Sequence, residues 1–234
     1  MEWFVGTSGY AYKEWKGPFY PANLPDAEML GYYATRFPAV EINNTFYRMP
    51  GEKQLLDWGA QVPDGFRFAL KATQRITHFA QLRDAGELVD HLARTVAVLA
   101  HKLGPTLFQL PPSLKKDLPR LQAFVDTLPK RWKVAIEFRH PSWFDDEAAL
   151  DVLRAKDVAL CLSDQDDLAT PVVATAPWGY ARLHRFDYAE SSLLEWAATL
   201  KGQPWTEGYV FFKHDHAPGS GPPVAEALMN LLRS

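Results

Sequence analysis

Eight short apolar or alternating runs, separated by segments of helical period, predict an α/β fold: a single TIM-type (β/α) barrel with about eight parallel strands. Strict alternation of strand and helix calls for right-handed crossovers between parallel strands. About eight such units within 234 residues favour a closed barrel over an open doubly wound sheet. No Ser/Gly-rich linker, internal repeat or shift in composition divides the chain, so one barrel domain is expected over residues 1–234.

The predicted strands are residues 4–7, 39–43, 66–71, 106–110, 133–138, 158–163, 179–184 and 208–213. Helical patterns lie between them at 26–36, 52–61, 87–102, 117–128, 145–155 and 191–201, with 224–232 closing the chain. Leu88, Leu92, Val96 and Leu99 recur at helical spacing, as do Leu118, Leu121, Val125 and Leu128, so each helix has one face to bury. Gly104-Pro105 is expected to stop the third helix just before the fourth strand. Ser192 and Glu195 have the spacing of a capping box. Residues 165–178 carry no helical period and predict an irregular connection.

Composition narrows the function. With 47% hydrophobic and 23% charged residues the chain is an ordinary globular one, neither disordered nor fibrous. A net charge of -3 without a dense Lys/Arg run gives no general attraction to phosphate backbones, so nucleic acid is not a favoured partner. Cys161 is the single cysteine, which excludes an internal disulfide framework and any multi-cysteine metal site and suits a reducing compartment. The amino terminus enters a strand without a signal-like segment, and no apolar run approaches the roughly 20 residues of a membrane helix. A cytoplasmic protein without membrane contact is expected.

Seven stretches in chain order carry a family resemblance: Gly6-Thr7-Ser8-Gly9-Tyr10, Glu41-Ile42-Asn43-Asn44-Thr45-Phe46-Tyr47, Phe68-Ala69-Leu70-Lys71, Phe108-Gln109-Leu110-Pro111-Pro112, Glu137-Phe138-Arg139-His140-Pro141-Ser142-Trp143, Tyr180-Ala181-Arg182-Leu183-His184 and Phe211-Phe212-Lys213-His214-Asp215. Together they resemble the YecE-like family, also called domain of unknown function seventy-two. The likeness implies a barrel related to the TIM fold, and no reaction, cofactor or catalytic residue. Lys213-His214-Asp215-His216 stands where many members of that family have an asparagine-rich ending.

Residue parity supplies the candidate site. Alternate residues of a strand face opposite sides, and in a barrel one parity points inward. Glu41 with Asn43, Lys71, Gln109, Glu137 with Arg139, Arg182 with His184, and Lys213 share one parity within their strands, near the carboxyl ends. Asp164 follows the sixth strand, placed to lean over the same mouth. Burying such charges without partners costs several kcal/mol each, so they must pair or bind something, and barrel active sites occupy this face.

The catalytic candidates are Glu137, Asp164, Lys71 and His184. Glu137 and Asp164 would form an acid/base pair of the kind used in hydrolysis, glycosidic hydrolysis included. Glu41, Asn43, Gln109, Arg139, Arg182 and Lys213 would hold the ligand. The competing reading is a scaffold of ion pairs, with Glu41–Lys71 and Glu137–Arg182 as couples.

Three further features flank this set. The long loop after the first strand carries Tyr10, Trp15 and other rings beside Lys13 and Lys16, either to stack on a sugar or base or to plug the barrel. Gly6-x-x-Gly9 precedes it and permits a tight turn. Gly219, Ser220 and Gly221 open the last helix, where such barrels hold phosphate, although Pro222 and Pro223 remove N–H donors there.

His214 and His216 flank Asp215 and could join a divalent metal site, but no tight ligand spacing supports one, so no metal is assigned. Cys161 is read as outward-facing and buried. The expectation is an enzyme acting on a small anionic or phosphorylated, sugar-like compound by acid/base hydrolysis or lysis. A metal-dependent phosphoesterase or nuclease and a non-catalytic binding barrel are the alternatives.

Overall fold

The computed structural model describes residues 1–164, 168, 170–185, 187–213 and 221–234. Eight parallel strands, β1 (Glu2–Thr7), β2 (Ala39–Ile42), β3 (Arg67–Lys71), β4 (Leu103–Gln109), β5 (Val134–Glu137), β6 (Ala159–Ser163), β7 (Trp178–Leu183) and β8 (Glu207–Phe212), lie in the order β1-β8-β7-β6-β5-β4-β3-β2. Around them run α1 (Met29–Arg36), α2 (Glu52–Ala60), α3 (Gly86–Val96), α4 (Leu118–Asp126), α5 (Ala148–Arg154), α6 (Glu190–Lys201) and α7 (Gly221–Arg233). The predicted α/β barrel is therefore present. No described helix is long and apolar enough to cross a membrane.

The ring closes between β1 and β2 through little backbone pairing. Ser8 bridges to Glu41, and Gly9 N–H donates to the Glu41 carbonyl at 2.7 Å. Deeper in the seam a side chain replaces the ladder. Tyr33 Oη accepts from Thr7 N–H at 2.8 Å and donates to the Ala39 carbonyl at 3.1 Å, satisfying both backbone groups. Gly6 is required here, since a Cβ would stand 2.0 Å from the Ala39 carbonyl oxygen. Gly9, at φ 94°, makes the turn at the strand's end.

Two apolar layers follow from strand parity. One face of each strand packs on the helices: Val40 and Ile42, Phe68 and Leu70, Val134 and Ile136, Ala181 and Leu183, and Val210 and Phe212 all belong to this outer core. The inner layer joins small residues Ala39, Ala69, Ala135 and Ala159 to large rings Phe4, Tyr180, Tyr209 and Phe211 from β1, β7 and β8. Small residues on one side make room for rings from the other, so the interior below the mouth is filled.

Four local expectations are corrected. Cys161 belongs to the inner layer; the thiol is buried as expected, but it faces inward. Gly104-Pro105 lies inside β4, where the pairing with β3 slips between Phe68 and Leu70 and Pro105 has no N–H to give. The predicted helix 87–102 divides into α3 and a 3₁₀ segment, Ala97–Lys102, kinked at Ala100 with φ 50°. The Ser192–Glu195 capping box does not form, because α6 is already helical from Glu190 with Ala189 at its N-cap.

Candidate functional site

The floor of the mouth is a three-charge cluster. Arg182 on β7 reaches β5 and β2 at once: its Nη1 donates to Glu137 at 2.7 Å, while its Nε and Nη2 stand 3.0 and 3.1 Å from Glu41. Neutral donors add to this pairing. Ser8 Oγ and Tyr180 Oη each donate to Glu41 at 2.7 Å, Asn43 Nδ2 donates to it at 3.1 Å, and Gln109 Nε2 donates to Glu137 at 2.8 Å. Glu41, Glu137 and Arg182 are all buried. Inward parity places them together, and their charges make such partnering obligatory.

Burial pushes the Glu41 carboxyl up, but the Arg182 charge and the donors Ser8, Tyr180 and Arg182 outweigh it and hold Glu41 below its ordinary value. Burial likewise opposes the charge on Arg182, and Glu41 and Glu137 more than restore it. Sequence reading missed Ser8 and Tyr180. The signal for Tyr180 was its parity with Arg182, two residues on.

A cationic rim stands above this floor. Lys71, at the end of β3, places its ammonium 4.2 Å from the centroid of the Phe46 ring. Burial, together with repulsion from Arg182 and Arg139, lowers its pKa to about 8 against the pull of Glu41 and Glu137. Arg139 is half-buried, with its Nε 3.9 Å from Glu137. His184 is held well below its ordinary value by burial and by Arg182, Lys213, Arg139 and Lys71, so its imidazole is neutral. Lys71, Arg139, Arg182 and Lys213 thus all act on His184. The expected Glu137–Arg182 couple forms. The expected Glu41–Lys71 contact does not, because Arg182 takes both carboxylates.

Asp164 is placed elsewhere. Ser163 has the inward parity of Ala159 and Cys161, so Asp164 follows the outward set. Its carboxylate accepts from the His184 N–H at 2.7 Å and Tyr188 Oη at 2.5 Å, and Arg185 Nε lies 3.6 Å away. Burial raises its pKa against these donors. Among the described residues no hydrogen bond or ion pair joins Asp164 to Glu137, and the expected acid/base pair is not assembled.

The aromatic loop divides between two roles. Trp15 is fully buried against Tyr12, Phe19 and Tyr20 within the outer core, so it offers no stacking face, contrary to expectation. Tyr10 is half-buried and lines a cleft of about 480 Å³ beside the mouth. Gly221 begins α7 and is buried, whereas Gly219, Ser220, His214, Asp215 and His216 lie outside the described residues. Among the described residues no three His, Cys, Asp or Glu side chains are grouped to hold a metal ion.

Comparison with known proteins identifies the lineage. The family model for "Protein of unknown function DUF72" matches residues 4–234. The chain belongs to the DUF72 family. It is 37% identical over 113 residues to the UPF0759 protein YecE of Escherichia coli K12, a match spanning 48% of this chain and 42% of that protein. The chain thus matches less than half the length of that curated relative. The UPF0759 protein YunF of Bacillus subtilis is 24% identical over 226 residues, covering 91% of this chain and 78% of YunF.

The crystal structure of a DUF72 family protein from Thermotoga maritima superposes with a TM-score of 0.88 at 27% identity, covering all of both chains. A DUF72 family protein from Enterococcus faecalis, at 19% identity and TM-score 0.83 over 99% of this chain and 96% of that one, shares the fold. The resemblance to the YecE-like family and the α/β barrel it implies both hold.

Proposed function

We propose that this DUF72 barrel is an enzyme that binds a small anionic or phosphorylated compound at the carboxyl-end mouth and transforms it by proton transfer, in hydrolysis or lysis. The observation that supports this reading is the unequal distribution of charge. Glu41 and Glu137 are engaged by Arg182 and neutral donors, while Lys71 and Arg139 stand beside them. A ligand anion would complete that balance with charge-assisted hydrogen bonds, each worth on the order of 1.5–3 kcal/mol.

Proton transfer falls to Lys71 in this reading, with His184 kept neutral to orient the ligand. Lys71, with a pKa near 8, carries a usable fraction of free amine close to neutral pH. Glu137, engaged by Arg182 and Gln109, orients the cationic groups. Asp164 positions the segment after β7 through the His184 N–H.

Calorimetric titration with phosphate, sulfate and sugar phosphates tests the anion site, with Arg139→Ala beside wild type. Absence of binding by every anion would overturn it. The full partnering of Glu41 and Glu137 favours one second reading, a barrel that binds its ligand without changing it. Mass spectrometry of a co-purified metabolite before and after prolonged incubation separates the two.

A further inference from the structure

The cleft of about 480 Å³ lies between the loop after β1 and the segment from the end of β2 into α2. That size falls in the small-ligand range of roughly 300–1,000 Å³. Its walls combine the rings of Tyr10, Tyr12 and Trp58 with the planar polar groups of Asn43, Arg48 and Gln54.

Four hydrogen bonds tie its walls to the charged mouth. Asn43 donates to Glu41; Tyr12 Oη donates to the Ser8 carbonyl at 2.7 Å, and Ser8 Oγ donates to Glu41; Thr45 Oγ1 donates to the Lys71 carbonyl at 2.6 Å. Asn43 Oδ1 is buried and accepts no hydrogen bond from a described residue. A buried acceptor left in that state is costly.

We infer that this cleft is a subsite for a neutral, polyhydroxylated ring, sugar-like in chemistry, belonging to the ligand whose anionic end the mouth holds. The inference rests on the anion site proposed above and names what is attached to the anion. A wholly apolar ligand would desolvate Arg48, Gln54 and Asn43 without compensation. A bare inorganic anion would leave the three rings unused. A sugar ring matches both, with C–H faces for the aromatic walls and hydroxyls for the amide and guanidinium groups.

Gln54 and Arg48 are exposed at the cleft, so Gln54→Ala and Arg48→Ala leave the core intact. The test is calorimetric titration of the full chain with inorganic phosphate, pentose 5-phosphates, hexose 6-phosphates and the same sugars without phosphate. At least one sugar phosphate should bind tenfold or more tightly than inorganic phosphate. Gln54→Ala and Arg48→Ala should reduce that advantage several-fold while leaving inorganic phosphate binding unchanged.

If inorganic phosphate binds and responds to Arg139→Ala, but every sugar phosphate merely equals it, the cleft inference is overturned and the anion site stands. If a neutral sugar binds in a Gln54-dependent way while Arg139→Ala changes nothing and phosphate is ignored, the anion site falls and the cleft stands.

Discussion

The floor and the rim of the barrel mouth are built from the same kinds of residue and solve opposite problems. On the floor, Arg182 lies between Glu41 and Glu137, and Ser8, Tyr180, Asn43 and Gln109 donate to the same carboxylates. On the rim, Lys71 sits over a phenyl ring, Arg139 stands 3.9 Å from the Glu137 carboxylate, and burial together with the neighbouring cations keeps His184 neutral. Buried pairing marks the floor as a structural element. If the rim holds the ligand, as proposed above, substitutions in the two should separate stability from binding.

The largest effect is expected at Arg182. Arg182→Met strands two buried carboxylates, and breaking a buried ion cluster in this way costs about 3–5 kcal/mol. Urea unfolding would measure it. Adding Glu41→Gln and Glu137→Gln to that variant should recover much of the loss, because the neutral amides no longer need a cation. Little loss in the single variant would show that water or rearrangement reaches these carboxylates, and the contrast with the rim would collapse.

Arg139→Ala comes second and should act on binding. The side chain is half-buried, and its ion pair is long, so its contribution to stability should stay below about 1 kcal/mol. Loss of one charge-assisted contact should weaken sulfate or phosphate binding by roughly 10- to 100-fold. Calorimetry beside thermal melts decides the matter. A large drop in melting temperature with unchanged anion affinity would move Arg139 to the floor.

Much of this arrangement was legible in the sequence, for a definite reason. Barrel strands have a period of two, so placing Glu41, Lys71, Gln109, Glu137, Arg182 and Lys213 on one parity also places them on one side of the sheet. Parity fails where a strand's frame is judged wrongly or the chain leaves it. On β6 the frame was set by the apolar run, which is apolar on both faces, so Cys161 and Asp164 were given the wrong sides. Which of several cations takes a carboxylate depends on reach across the barrel, and Arg182 spanning from β7 to both β2 and β5 is a three-dimensional fact. Trp15 looked like a stacking ring because aromatic plugs and aromatic platforms have the same composition.

A smaller effect separates two buried carboxylates in acid. Glu41 is held below its ordinary value of 4.5, so its contribution is present above that pH and is lost as pH falls through its lower folded value. Asp164 is raised above 3.8 by burial, so the folded state holds its proton more tightly and stability rises as pH falls through the raised value. Glu41→Gln should flatten the loss of stability in acid, and Asp164→Asn should steepen it. Melts at pH 7, 5, 4 and 3 would show both slopes, and equal slopes in the two variants would contradict the opposite settings of these groups.

The last effect belongs to Lys71 and appears in base. Its pKa of about 8, against an ordinary 10.5, means that the folded protein binds fewer protons than the unfolded chain between those values. Stability should therefore rise with pH across that window. Anion binding should move the other way, because deprotonation removes one rim charge. Sulfate is the suitable probe, since its own charge stays fixed there. Its affinity should hold below about pH 8 and then fall by at most about tenfold per pH unit. Lys71→Met should bind sulfate more weakly at neutral pH and lose the decline above pH 8. If wild type and Lys71→Met decline in parallel, the titrating rim group is another residue, and Lys71 has no part in holding the anion.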